Sequence, residues 1–239
     1  MRILYVFPHP DDESYGPARV MSKQRRQGHE VYLLTLTRGG ATRQRHKYGS
    51  SVAEMGEVRF KEMVDVAQVL DLTGMTVLDL PDSGLQDGPA RDRNRNCGAH
   101  RVGPARCGGD GAVHGISGFF DHIITHAVVK RAYVELRERV DYLKRLAFWT
   151  IRAEEAAGAS ELFHLTGSRA EDIDVLVTVD EVDVEKQQQA LDCYVTYRET
   201  IEAAGARRNI PREAVFELYQ EVYEPPLGDL FGGLTEHEQ

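Results

Sequence analysis

The hexapeptide Pro8-His9-Pro10-Asp11-Asp12-Glu13 follows directly on an apolar run, Met-Arg-Ile-Leu-Tyr-Val-Phe. One imidazole and three consecutive carboxylic acids at the end of a strand repel one another and resist burial unless each finds a partner. A cation at the strand tip would make them useful together. A histidine and an aspartate three residues apart in a loop can both turn toward one ion. Zinc accepts imidazole nitrogen and carboxylate oxygen, and its catalytic sites use three protein ligands with one position left open. The third ligand has to come from a distant part of the chain, and Asp121-His122-Ile-Ile-Thr-His126 supplies His122 and His126 at the start of a helical pattern. Cys97, His100 and Cys107 also carry metal-binding atoms, but their spacing matches no common zinc module. The basic run Arg43-Gln-Arg-His-Lys47 reads as a mobile loop on the rim of the site.

These residues need a scaffold. Residues 2–7 form a continuous apolar run of the kind found in strands buried on both faces. A helix is expected from Pro17 to Gln27, stopped by Gly28, and a second buried strand at 30–38, followed by Gly39 and Gly40. Phe60, Met63, Ala67 and Leu70 step by three and four, which predicts a helix over 56–72, and 75–80 reads as a third strand. Val129, Ala132, Leu136 and Val140 repeat the helical step over 122–142. Late strands are expected at 145–151 and 173–179, then a long helix capped by Asp183 and running to near Gly205, then an irregular arm from Pro225. The β-α-β-α-β order predicts right-handed crossovers and an α/β, Rossmann-like, three-layer fold with a mostly parallel sheet. Ligands of such sheets sit at the carboxyl ends of the strands, where His9 lies.

Composition narrows the function classes. The 239 residues suit one α/β domain spanning 1–239, and 41% hydrophobic with 28% charged residues is the balance of an ordinary globular protein. A net charge of −9 argues against nucleic acid or an anionic membrane as the main partner. No apolar run reaches membrane-spanning length, and the opening run is too short and strand-like for a secretion signal. Three cysteines do not make a secreted disulfide framework, so the cytoplasm is the expected compartment.

Residues 88–112 break the pattern. They hold no Leu, Ile, Phe, Tyr, Trp or Met, although an α/β fold needs a further helix and strand here. A long polar loop is one reading, and structureless loops of this length are uncommon within compact domains. A translated frameshift is the other, because Arg, Gly, Ala, Pro and Cys are what GC-rich codons yield out of frame.

The stretch Phe7-Pro-His-Pro-Asp-Asp-Glu-Ser-Tyr-Gly16 resembles the signature of the LmbE-like, or PIG-L, family of zinc-dependent N-acetylglucosamine deacetylases. The likeness continues through Thr35-Leu-Thr-Arg-Gly-Gly40, Glu57-Val-Arg-Phe-Lys-Glu-Met63 and Phe119-Phe-Asp-His122. It implies that His9, Asp12 and His122 hold Zn²⁺, or another divalent metal such as Fe²⁺. It implies that Asp11 is the general base toward the attacking water, that Glu13 supports the ligands or the helix start, and that Arg59 faces the substrate. Asp121 keeps the aspartate of the family's second motif and is grouped with Asp11 as catalytic. Phe119 and Phe120 stand where the family has His-Pro, and Gly40 where a glutamate is frequent. Asp121 thereby loses the family's usual hydrogen-bond partner. His114 or His126 could replace the missing histidine, and His126 is grouped with Arg59 on the substrate side.

The resemblance implies hydrolysis of the N-acetyl group of an N-acetylated sugar conjugate to a free amine and acetate, as in deacetylases of thiol-cofactor biosynthesis. A homo-oligomer is expected. Two alternatives stay open: a metal- and sugar-binding homologue without activity, and a zinc hydrolase of another amide or ester.

Overall fold

The computed structural model describes residues 1–87, 107–157, 164–208 and 210–234. In chain order the elements are β1 (Arg2–Phe7), α1 (Asp12–Tyr15), α2 (Ala18–Arg26), β2 (Glu30–Thr37), α3 (Val52–Val69), β3 (Gly74–Leu80), β4 (Cys107–Gly111), α4 (Phe120–Arg137), β5 (Arg145–Thr150), α5 (Ala153–Ala156), β6 (Val175–Thr178), α6 (Glu181–Cys193), α7 (Arg198–Ala203) and β7 (Glu213–Leu218). The strands form one seven-stranded sheet in the order β3-β2-β1-β4-β5-β7-β6. β3, β2, β1, β4 and β5 are mutually parallel, and β7 runs antiparallel between β5 and β6. The mostly parallel α/β sheet is therefore as the sequence predicts.

The apolar run of β1 is buried on both faces because the pleat sends alternate residues to opposite sides. Ile3, Tyr5 and Phe7 pack with Met21 of α2, Met63 and Val66 of α3, and Leu191 of α6. Leu4 and Val6 join Leu34 and Leu36 on the other face, where Val129 of α4 covers them. Helices thus lie on both faces of the sheet. After β1 the chain winds outward to β2 and β3, and after β3 it returns to the other side of β1 as β4. The carboxyl ends of β1 and β4 flank the point where the winding reverses, which is where such sheets open a crevice for ligands.

Several boundaries differ from the sequence expectation, each for a physical reason. α3 starts at Val52, because Ser51 and Glu54 form a reciprocal capping box in a first turn that carries little apolar signal. α4 covers 120–137 in place of 122–142. The expected long helix is two. Asp180, not Asp183, caps α6, with the Asp183 carboxylate accepting from the Asp180 N–H. The chain then breaks at 194–197, where Thr196 donates its N–H and its hydroxyl to Glu62 of α3, both at 2.7 Å. Those tertiary bonds replace the helical ones.

Two strands were missed. β7 follows the antiparallel return and was not read from Glu213-Ala-Val-Phe-Glu-Leu218. β4 is Cys-Gly-Gly-Asp-Gly, and over 107–111 it corrects the reading of 88–112 as a long polar loop. It contributes backbone hydrogen bonds between β1 and β5, and its three glycines leave no apolar pattern to read. Residues 88–106, with the frameshift reading and with Cys97 and His100, lie outside the described residues.

Glu62 and Thr196 are 6% and 7% exposed, so an unpaired donor there has little access to water. Glu62→Ala is expected to lower unfolding stability by about 1–3 kcal/mol, the cost of buried polar groups left unsatisfied. Urea unfolding checks this. A change below about 0.5 kcal/mol, the level of ordinary surface substitutions, would show that these bonds do not hold the break.

Candidate metal centre

The loop after β1 is bent by Asp11, whose φ of 85° lies in the left-handed region. Aspartate tolerates that region better than most residues. The Asp11 carbonyl accepts the N–H groups of Ser14 and Tyr15, both at 2.9 Å, and so starts α1. The bend makes the two adjacent acids diverge. Asp11 Oδ2 accepts from Arg59 at 2.9 Å, whereas Asp12 Oδ2 accepts from the His9 N–H at 2.8 Å. Asp12 Oδ1 lies 3.4 Å from His122 Nε2, and the other carboxylate oxygen lies 3.6 Å from His9 Nδ1.

His9, Asp12 and His122, the set that the resemblance implies, come together, each offering a ligand atom within 4.8 Å of the others. Their side chains are 15–18% exposed, which leaves the cluster reachable from outside. Two imidazoles and one carboxylate are donor types that suit zinc, and three of them leave room for a further ligand. Burial holds the His122 pKa below its ordinary value, which favours the neutral ring a metal ligand must be. At His9 burial also opposes the charged ring, but the hydrogen bonds to Asp12 and Asp121 and the charge of Asp82 outweigh it. The His9 pKa rises to about 10. A field that holds a proton so firmly also favours a divalent cation, and ligation would release that proton. Burial pushes Asp12 upward, yet His122 and His9 keep it below the usual carboxylate range.

Asp121 is 3% exposed and does not lack partners. Its carboxylate accepts from His9 Nε2 at 3.1 Å, from the Ser83 N–H at 2.8 Å and from the Leu85 N–H at 3.2 Å. These partners stand in for the one that Phe119 cannot supply. Asp82, which sequence reasoning missed, reaches the same histidine, with Oδ1 3.4 Å from His9 Nε2. Its signal was available as an acid two residues past β3, at the carboxyl edge.

Arg59, expected to face the substrate, is 2% exposed. It donates to the carbonyls of Gly39 and Pro10 as well as to Asp11, with its guanidinium 4.3 Å from the Tyr197 ring centroid. A Cβ on Gly39 would come within 2.1 Å of this guanidinium. Burial raises the Asp11 pKa, Arg59 opposes the rise, and Asp12 and Glu13 add to it. Gly40 has a steric cause of its own, since a Cβ there would lie 2.1 Å from the Val52 carbonyl oxygen. The glutamate frequent in the resembled family would displace the start of α3.

The remaining candidates fall elsewhere. Glu13 is fully buried and accepts from Tyr194 at 2.7 Å and from Ser14 at 2.6 Å, beneath the site. His126 lies on α4 with Nδ1 3.0 Å from the Gly111 carbonyl and its ring against Phe148. His114 accepts the Ile116 N–H and faces Ser168. Neither joins the cluster of metal-binding atoms found among the described residues. Phe119 and Phe120 are 53% and 70% exposed, with the Phe119 ring 6.3 Å from that of His122. The run 43–47 is not a free rim loop. It contains a short 3₁₀ turn, and Gln44 and Lys47 bind Thr200 and Glu199 of α7.

A parallel α/β sheet with a His/Asp cluster at the β1–β4 switch point defines a metal-dependent class of site. The chain belongs to the PIG-L family, described as GlcNAc-PI de-N-acetylase, whose model matches residues 4–203. It is 32% identical over 103 residues to the 1D-myo-inositol 2-acetamido-2-deoxy-alpha-D-glucopyranoside deacetylase of Thermomonospora curvata, covering 39% of this chain and 35% of that one. It is 36% identical over 92 residues to the mycothiol S-conjugate amidase of Streptomyces coelicolor, covering 37% and 31%. The chain thus spans about a third of the length of these curated relatives. Its fold matches that of the A40926 pseudoaglycone deacetylase Dbv21 with a TM-score of 0.67 at 18% identity, covering 92% of this chain and 97% of that one. No helix among the described residues is long and apolar enough to cross a membrane.

Arg59→Met removes the countercharge of a buried carboxylate, and is expected to cost about 3–5 kcal/mol. Arg59→Lys keeps the charge but not the planar fork that reaches two carbonyls and Asp11, so its loss should be smaller but substantial. Unfolding midpoints for both variants test this. An Arg59→Met protein as stable as wild type would show that the guanidinium does not hold the loop.

Proposed function

We propose that the protein is a zinc-dependent N-deacetylase that hydrolyses the N-acetyl group of an N-acetylglucosamine-type conjugate. The observation that carries this reading is the convergence of His9, Asp12 and His122 beside buried Asp11, in a chain of the PIG-L family. His9, Asp12 and His122 would hold the metal. A divalent ion there would supply Lewis-acid polarisation of the acyl oxygen and lower the pKa of water.

The chain's own residues do the rest. Asp11 accepts a proton from the attacking water, whose oxygen bonds to the acetyl carbon. The carbon–nitrogen bond breaks, and the proton held by Asp11 passes to the departing nitrogen, giving acetate and a free amine. Arg59 fixes the direction of the Asp11 carboxylate and, as its countercharge, keeps the anionic form accessible despite burial. Asp11 and Asp12 keep separate tasks because the left-handed bend points them apart.

A second reading, a metal- and sugar-binding homologue without turnover, is favoured by Phe119. Its ring offers no hydrogen-bond donor where the resembled motif has histidine, and losing one oxyanion donor typically costs about 10²–10³ in rate. A hydrolase of another amide shares the same cluster and draws support from the similarity to an amidase.

Zinc-loaded protein is expected to release acetate from N-acetylglucosaminyl substrates, to lose that activity on chelation and to regain it with zinc. Asp11→Asn should lower the rate by about 10²–10⁴, the usual weight of general-base catalysis. Folded, zinc-bound protein that binds such sugars and releases nothing would favour the binding reading. Turnover of other amides alone would favour the third.

A further inference from the structure

The two ring nitrogens of His9 face different groups. Nε2 lies 3.1 Å from Asp121 Oδ2 and 3.4 Å from Asp82 Oδ1, whereas Nδ1 faces Asp12, 3.6 Å from Oδ2. Carboxylates accept and do not donate, so a hydrogen on Nε2 is well placed between Asp82 and Asp121, whereas Nδ1 faces the Asp12–His122 side, where a cation would replace its hydrogen. We propose that Asp121, with Asp82 beside it, is a positioning residue that holds His9 as the Nε2–H tautomer and commits Nδ1 to the cation. This rests on the metal reading above and assigns Asp121 a task other than proton transfer to substrate.

Both carboxylates are fixed independently of His9. Asp121 Oδ2 also accepts the Ser83 N–H at 2.8 Å, and Oδ1 accepts the Leu85 N–H at 3.2 Å. Asp82 Oδ2 accepts the Ala41 N–H at 2.6 Å. The acceptors for Nε2–H are therefore set by the loops after β2 and β3 and by the first turn of α4. Asp121 sits next to His122 in that turn, so one stretch of chain delivers a ligand and the support of a second ligand. A histidine ligand whose other nitrogen donates to a carboxylate keeps its ring orientation and gains basicity, and removing such support typically weakens metal binding about 10–100-fold.

The same atoms allow a rival arrangement. His9, Asp82 and Asp121 also offer ligand atoms within 4.8 Å of one another. A cation held there would occupy Nε2 and leave the hydrogen on Nδ1.

The test uses the full chain labelled with ¹⁵N-histidine and loaded with one equivalent of zinc. Two-bond ¹H–¹⁵N correlation reads which nitrogen of His9 carries hydrogen, and competition titration with a chelator reads zinc affinity. The wild-type protein should show Nε2–H at His9. Asp121→Ala should bind zinc about 10–100-fold more weakly. Asp121→Asn, whose amide oxygen can still accept from Nε2, should recover most of that loss. His122→Ala should lose affinity while His9 keeps its Nε2–H. Hydrogen on Nδ1 in the wild-type protein overturns the proposal without any variant. Folded Asp121→Ala with affinity within twofold of wild type overturns it too, and reduces Asp121 to a clamp on the Ser83–Leu85 loop. Wild-type protein that takes up no zinc removes the metal reading itself, and this inference with it.

Discussion

Four carboxylates gathered around one histidine set the terms for everything else in this structure. Asp11, Asp12, Asp82 and Asp121 lie together at the carboxyl edge of the sheet, and such a cluster persists only if each charge is answered. Arg59 answers Asp11, the two histidines answer Asp12, and backbone N–H groups from two loops answer Asp82 and Asp121. The strand order makes this possible. Because β1 lies beside β4, the loop after the first strand meets the helix after the fourth, at the point where the winding reverses.

The second requirement is that neighbouring acids meet different partners. A left-handed residue at Asp11 achieves this, and it costs backbone strain that the surroundings must hold. Arg59 does so by bonding the loop at Pro10 and Asp11 and the next loop at Gly39. Arg59 in turn lies against Tyr197, which is placed by the break between α6 and α7, and that break is held by Glu62 and Thr196. A chain of contacts thus runs from a helix break on one face of the sheet to the geometry of Asp11.

The features legible in the sequence are those written in side-chain pattern. The apolar runs of β1, β2 and β3 and the His9–Asp12 spacing were readable, because continuous apolar runs and clustered donors have few other causes. His122 was reachable only as one of two histidines a turn apart, and the resemblance to the PIG-L motif chose between them. What escaped was written in the backbone or in tertiary bonds. β4 consists largely of glycine and shows no periodicity. The break after Cys193 depends on an acceptor more than a hundred residues away. The bonds of Arg59 to two loops and the approach of Asp82 to His9 escaped because a side chain's direction is not encoded in its own stretch. Both residues look like polar surface positions until the loops around them are placed.

The central claim is that a cation belongs between His9 Nδ1, Asp12 and His122. Anomalous diffraction at the zinc edge, from crystals of the chain grown with one equivalent of zinc, tests it most directly. The account predicts one anomalous peak at that position, with Asp11 outside the coordination shell and still bonded to Arg59. A peak between His9 Nε2, Asp82 and Asp121, or none near His9, would contradict it.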